Sequence, residues 1–227
     1  MLKIKKIILI LCGILLFFFI ACLLYIFIPR KDLLIAIDSS VVIPYLKDGD
    51  IILRKSNAGW SDIFNRFSLT DKRFSHLGII RIHNGNISVI NSVGNISISE
   101  ESVPSKLKNR KPEVTELSGV HEISLNNFLK VAINIGIFRS RFIDGSLISE
   151  KAAGLIGIPF DWDFDIDDDS KIYCTELLYA VINSIAPEHN IETRYLDILG
   201  RDIIPLDSIS AACAFEEILY IELPGKN

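Results

Sequence analysis

Residues 75–90 read Ser75-His76-Leu77-Gly78-Ile79-Ile80-Arg81-Ile82-His83-Asn84-Gly85-Asn86-Ile87-Ser88-Val89-Ile90. An apolar run, an Asn-Gly pair and a second apolar run are the local pattern of two antiparallel strands joined by a tight turn. Asn and Gly accept the positive φ that such turns demand. The pattern predicts a strand over Ser75–Ile82 and another over Ile87–Ile90, with His76 at the end far from the turn. Gly78 leaves room beside it.

Working outward, Ile51-Ile52-Leu53 behind Asp48-Gly49-Asp50 reads as a buried strand, and Asn95–Ser99 as a third strand beside the hairpin. Trp60, Ile63, Phe64 and Phe67 share one face of a short helix over Gly59–Phe67. Glu100–Pro112 is a polar surface excursion. Ser124 caps a short helix Leu125–Lys130, and Val131–Arg139 returns as a strand. Ser146–Ile156 suits a helix ended by Gly157. Leu177, Leu178, Val181, Ile182 and Ile185 repeat with helical period across Cys174–Ile185, and Ile218–Ile221 closes the domain as a strand. The expected class is α+β, an antiparallel sheet of about five or six strands with the Cys174 helix packed on it.

Ahead of this domain, Ile7–Ile28 runs for 22 residues without a charge, enough to cross a ~30 Å hydrocarbon layer. The run ends in bulky residues rather than a small-residue cleavage site, so it reads as an uncleaved transmembrane signal anchor. Three lysines and the amino terminus before it, against Arg30 and Lys31 after it, favour an extracytoplasmic domain, periplasmic or at the cell surface. The expected organisation is an anchor over residues 1–31, a tether over 32–47 and one domain over 48–227. Residues 1–31 hold five of the 24 Lys and Arg and none of the 28 Asp and Glu, so the remainder carries a net charge of −9. That balance repels phosphate backbones and excludes nucleic acid as a partner.

Cys12 and Cys22 lie in the anchor, which leaves Cys174 and Cys213 in the domain. The two could form a disulfide in an oxidising compartment. Alternatively Cys174, at the positive end of a helix with exposed N–H groups, is placed to be a nucleophile. Of the four histidines, His76 on a core strand is the best candidate base. His83 falls in a turn, His121 in a connection and His189 behind Pro187, each expected to be a solvated loop residue. A third group orienting the imidazole should come from the neighbouring strand. Asn91 lies there, with Ser92 and Ser88 as alternatives. The acidic run Asp161–Asp169 lacks the Gly and Glu of a calcium loop and reads as a solvated loop over the cleft. No metal or cofactor is expected. Glu176 should support the helix amino terminus.

Asp48-Gly49-Asp50-Ile51-Ile52-Leu53, Phe74-Ser75-His76-Leu77-Gly78-Ile79, Gly157-Ile158-Pro159-Phe160-Asp161-Trp162-Asp163-Phe164 and Asp168-Asp169-Ser170-Lys171-Ile172-Tyr173-Cys174-Thr175-Glu176-Leu177 together resemble the YiiX/YebB-like group of circularly permuted papain-like NlpC/P60 proteins. The likeness spans most of residues 48–222, and the order is that of the permuted family: His76, then the polar strand position, then Cys174. The resemblance implies a cysteine amidase or peptidase with a Cys174-His76-polar triad. Many relatives would have a glutamate where Asn91-Ser92 stands. A domain anchored outside the membrane meets cell-wall peptides, so a peptidoglycan amide leads as the expected substrate. A lipid or thioester acyl hydrolase or acyltransferase of the same fold, and a non-catalytic tethered binding module, are the alternatives.

Overall fold

The computed structural model describes residues 13–20, 37–56, 65, 68–97, 116–189, 191–197 and 200–223. Six strands form one sheet: β1 (Ile51–Ser56), β2 (His76–His83), β3 (Asn86–Ser97), β4 (Glu116–Ser124), β5 (Ala132–Ser140) and β8 (Phe215–Glu222). Their order is β4-β3-β2-β1-β5-β8, and every neighbouring pair is antiparallel. Strands β6 (Arg194–Leu196) and β7 (Arg201–Ile203) make a separate ribbon. The helices are α1 (Ser39–Val42), α2 (Leu125–Leu129), α3 (Gly145–Gly154), α4 (Cys174–Ile185) and α5 (Leu206–Ser210).

The β2–β3 turn forms at Asn84 and Gly85, with φ of 51° and 76°, the left-handed pair that Asn-Gly supplies. Alternate residues of the central strands then enter two different cores. Ile51, Leu53, Leu77, Ile79 and Ile90 pack with Ile148 of α3 and with Leu177, Leu178, Val181 and Ile182 of α4. Ile52, Ile80, Val89, Ile135 and Ile137 pack on the other face with Leu125, Phe128 and Leu129 of α2. Burial on both faces is why these strands read as unbroken apolar runs instead of alternating ones. Ile37 and Val42 join the second core, so the described part of the expected tether lies against the sheet.

Asp48-Gly49-Asp50 ties this frame together. Asp48 accepts the Ile82 N–H at 2.8 Å and the Ser149 hydroxyl at 2.7 Å. Buried Asp50 takes two hydrogen bonds from Arg139, at 2.7 and 2.8 Å. Gly49 has φ +76°, and a Cβ there would stand 1.9 Å from the Gly145 carbonyl oxygen, so only glycine fits.

Several sequence expectations need amendment. Asn95–Ser99 is not a separate strand, because β3 runs unbroken to Ser97. The helix expected over Ser146–Ile156 starts at Gly145, with Asp144 accepting the Ser146 N–H at 3.0 Å, and ends at Gly154. Strand β4 was not foreseen. The helix expected over Gly59–Phe67 lies outside the described residues apart from Asn65, and the excursion Glu100–Pro112 lies outside them entirely. Of the expected anchor only residues 13–20 are described, and they are helical. No helix among the described residues is long and apolar enough to cross a membrane.

Candidate active site

Helix α4 begins at Cys174 because Tyr173 is extended (φ −90°, ψ 176°) and its N–H donates to Glu176 Oε2 at 3.1 Å, half of a capping box. Tyr173 is fixed at its other end too, where its hydroxyl oxygen accepts the Ile204 N–H at 2.8 Å. The Thr175 hydroxyl donates to the Ile204 carbonyl at 2.6 Å. The first turn is therefore locked on both sides of the thiol. Cys174 is 6 % exposed, and its sulfur faces the N–H groups of Thr175, Leu77 and Cys174 itself. Burial dominates and pushes the thiol up to about 11, against the N–H groups and the Arg54 cation, which favour the thiolate.

Leu77 follows His76 in β2, so the helix terminus and the histidine meet on one strand. His76 Nε2 lies 3.0 Å from Asn91 Oδ1. The Asn91 amide is oriented by its other end, where Nδ2 donates to the His121 carbonyl at 3.4 Å. Since that carbonyl can only accept, Oδ1 is the atom that meets the imidazole, and Nε2 is the protonated nitrogen. The ring stacks on Phe128, centroids 5.7 Å apart and planes 27° apart. Burial, then the charge of Arg54, depress its pKa to about 3, opposed by the Asn91 bond. At neutral pH thiol and imidazole are both uncharged, and no hydrogen bond joins Cys174 to His76 in this conformation.

Of the alternatives for the third position, Ser92 donates its hydroxyl to the Ile172 carbonyl at 2.5 Å. Ser88 donates towards Arg81 O and Glu122. Neither meets His76. His121 is not a solvated loop residue: it lies buried in β4, opposite Asn91 in the register, with Nδ1–H donating to Gly119 O at 2.9 Å. His83 ends β2 and is exposed, and His189 stacks on Phe142. Cys174 and Cys213 are both free thiols, the first buried and the second exposed, so the expected alternative of a bridge is not what the fold forms.

One cationic neighbour escaped the sequence reading. Arg54 of β1 is the direct cross-strand partner of His76. Its guanidinium carbon lies 4.4 Å over the Phe128 ring, and Nη1 donates to the Phe128 carbonyl. Phe128 thus carries the imidazole and the guanidinium together.

A pocket opens on Cys174, walled by Phe164, Tyr173, Thr175, Ile203, Ile204, Pro205 and Leu206. The acidic run is not simply a solvated loop: Asp161 is fully buried, and its carboxylate accepts the N–H groups of Asp163 and Asp165 at 2.9 and 2.5 Å. Lys171 pairs with Asp163 and Asp168, and Arg201 with Asp165. Among the described residues no three His, Cys, Asp or Glu side chains converge in a way that could hold a metal ion. Near this loop, burial and the charges of Asp161, Asp169 and Asp165 raise the Glu176 carboxyl to about 8.

The sequence profile described as "Permuted papain-like amidase enzyme, YaeF/YiiX, C92 family" matches residues 45–218. Among solved structures, that described as metalloprotein yiiX from Escherichia coli O157:H7 superposes with a TM-score of 0.58 at 16% sequence identity, covering 78% of this chain and 98% of that one. No curated protein matches the chain.

Proposed function

This chain belongs to the permuted papain-like amidase family, and from that premise we propose that it is a cysteine amidase in which Cys174 is the nucleophile, His76 the general base and acid, and Asn91 the group that orients His76. The observation that carries the reading is the placement of Cys174 at the amino terminus of α4, its sulfur against the Leu77 N–H, one residue from the His76–Asn91 pair.

The chemistry follows from these atoms. Substrate binding brings a carbonyl carbon to Sγ. With Nε2–H held by Asn91, the free lone pair of His76 is on Nδ1, which takes the thiol proton as the S–C bond forms. The N–H of Cys174 stabilises the developing oxyanion. The C–N bond breaks as His76 passes the proton to the leaving amine. Water, deprotonated by His76, then cleaves the thioester and restores the thiol. The resting pair is neutral, so the thiol proton moves to His76 only as the S–C bond forms, with the Arg54 cation near the charge developing on sulfur.

The relative described as a metalloprotein raises the question of a metal here. The donor set does not fit one, since the most buried acid of the run spends both oxygens on backbone N–H groups, and no step is routed through a metal. The apolar stretch Ile7–Ile28 supports a single-pass anchor with the domain outside the cytoplasmic membrane, where cell-wall peptides are the leading substrate. The apolar walls at Phe164, Ile203, Ile204 and Leu206 favour one second reading, cleavage of a lipid acyl group.

The test is incubation of the full-length chain with purified sacculi and, separately, with phospholipid vesicles. Soluble peptides released from sacculi in a Cys174-dependent manner support the first substrate, and free fatty acid from vesicles supports the second. An acyl adduct on Cys174 after treatment with an activated ester supports the mechanism. A Cys174→Ala chain that matches wild type in all three assays would overturn it.

A further inference from the structure

We infer that Arg54 is an anion subsite on the leaving-group side of the cleft, so that the preferred substrate is an amide with an apolar acyl part and a free carboxylate on its amine part, an acyl amino acid or a peptide carboxyl terminus. The inference rests on the amidase reading and adds the substrate's charge to it.

Three features of Arg54 lead there. Nη1 is satisfied by the Phe128 carbonyl, but Nε is buried with no acceptor. Among the described residues neither Nε nor Nη2 has a hydrogen-bond acceptor, and no carboxylate pairs with the guanidinium. An arginine taken this far out of water is ordinarily paired, and the Nε–Nη2 edge is one that a carboxylate meets with two parallel hydrogen bonds. Nε itself is closed to solvent while the side chain as a whole stays half-buried, so a carboxylate would come in from the Nη2 end of that edge. Burial lowers its pKa to about 10, still charged at neutral pH.

Position assigns the anion to the amine part. His76 must protonate the leaving nitrogen, so the amine part lies on its side of the sulfur. Arg54 faces His76 across β1 and β2 and shares the Phe128 ring with it. The apolar pocket meets the sulfur through Tyr173, Cys174 and Thr175 and is not lined by His76 or Arg54, which leaves it to the acyl part. One side of the nucleophile is apolar and the other cationic.

The experiment compares N-hexanoyl-alanine with N-hexanoyl-alaninamide, which differ only in the charged group, on the full-length chain, Arg54→Met and Arg54→Lys. Within each protein the ratio of kcat/KM values is read, so that a general loss of activity or folding cancels. The expected wild-type preference for the carboxylate is about tenfold or more. It should fall to near unity in Arg54→Met and be partly kept in Arg54→Lys. An arginine that merely props Phe128 would slow both substrates and leave the ratio unmoved. A wild-type ratio near unity, or one that survives Arg54→Met, overturns the inference. If neither amide is cleaved in a Cys174-dependent manner, the amidase reading itself is in trouble, and calorimetry on Cys174→Ala decides the subsite separately. Tighter binding of the carboxylate that Arg54→Met abolishes supports it, and equal binding of both ligands refutes it.

Discussion

Asn91 Oδ1 meets His76 Nε2 at 3.0 Å, and the same amide is turned to do so by its donation to the His121 carbonyl. The imidazole is therefore held in one tautomer by a neutral group that is itself held by the backbone of β4. Asn91→Leu removes the acceptor and frees the ring to rotate. Expected is a fall in kcat of tenfold or more, short of the loss in His76→Ala, where the ~10²–10⁴-fold from acid–base catalysis disappears. Asn91→Asp should retain more activity than Asn91→Leu. Steady-state kinetics on an activated ester would check this, and equal rates for Asn91→Leu and wild type would refute it.

Cys174 rests as a thiol, its pKa pushed to about 11 by burial. Alkylation by iodoacetamide, followed at this residue by peptide mass spectrometry because Cys213 reacts too, should be slow at neutral pH and climb steadily into the alkaline range. Since no hydrogen bond joins the sulfur to His76, His76→Ala should leave that profile in place while abolishing turnover. Rapid labelling that levels off below neutrality would show a preformed ion pair instead.

Gly78 faces the second core, where a Cβ would stand 2.3 Å from Val89 Cγ1 and 3.0 Å from Phe128 Cε2. Gly78→Ala therefore overpacks the core by an amount that typically costs ~1–3 kcal/mol. Displacing Phe128 also shifts the platform under His76 and Arg54. Activity should drop with the melting temperature, whereas Gly85→Ala, in the exposed turn, should lower stability through its φ of +76° and leave kcat alone. Comparable kcat values for the two variants would argue against the Phe128 platform.

Glu176 carries a proton at neutral pH, because burial and three nearby aspartates raise its carboxyl from 4.5 to about 8. The folded chain holds a proton that the unfolded chain releases near 4.5, so this contribution to stability is full below that value and is lost as pH rises towards 8. Glu176→Gln keeps an acceptor for the Tyr173 N–H and removes the titration. The melting temperature of the variant relative to wild type should accordingly improve as pH rises through that interval. A difference independent of pH would dismiss the buried proton.

How far the sequence revealed this arrangement depends on whether a residue's setting is local. Cys174, His76 and the Asn84-Gly85 turn sit in segments whose own periodicity and capping define them, and they were legible. Asn91 was one of three candidates, separated only by the directions in which Ser88 and Ser92 turn. Arg54 and His121 were missed because their importance comes from register. Arg54 reads as the polar end of an apolar strand until Leu53 is paired with Leu77. His121 lies in a stretch broken by Ser118 and Gly119, whose strand is defined by its pairing with β3. No window along the chain contains either relationship.

The sheet order also has a consequence for the sequence of events as the chain folds. His76 and Asn91 are 15 residues apart in one hairpin, a unit that closes within microseconds once synthesised. Arg54 reaches its final setting only when β1 is flanked by β5 as well as β2, and Cys174 arrives on a helix encoded later still. In chain order His76 and Asn91 come first, the His121 carbonyl that orients Asn91 follows, and Cys174 comes after all three. On the proposed roles, a nascent or truncated chain ending before α4 would hold His76 and Asn91 without Cys174 and should hydrolyse nothing.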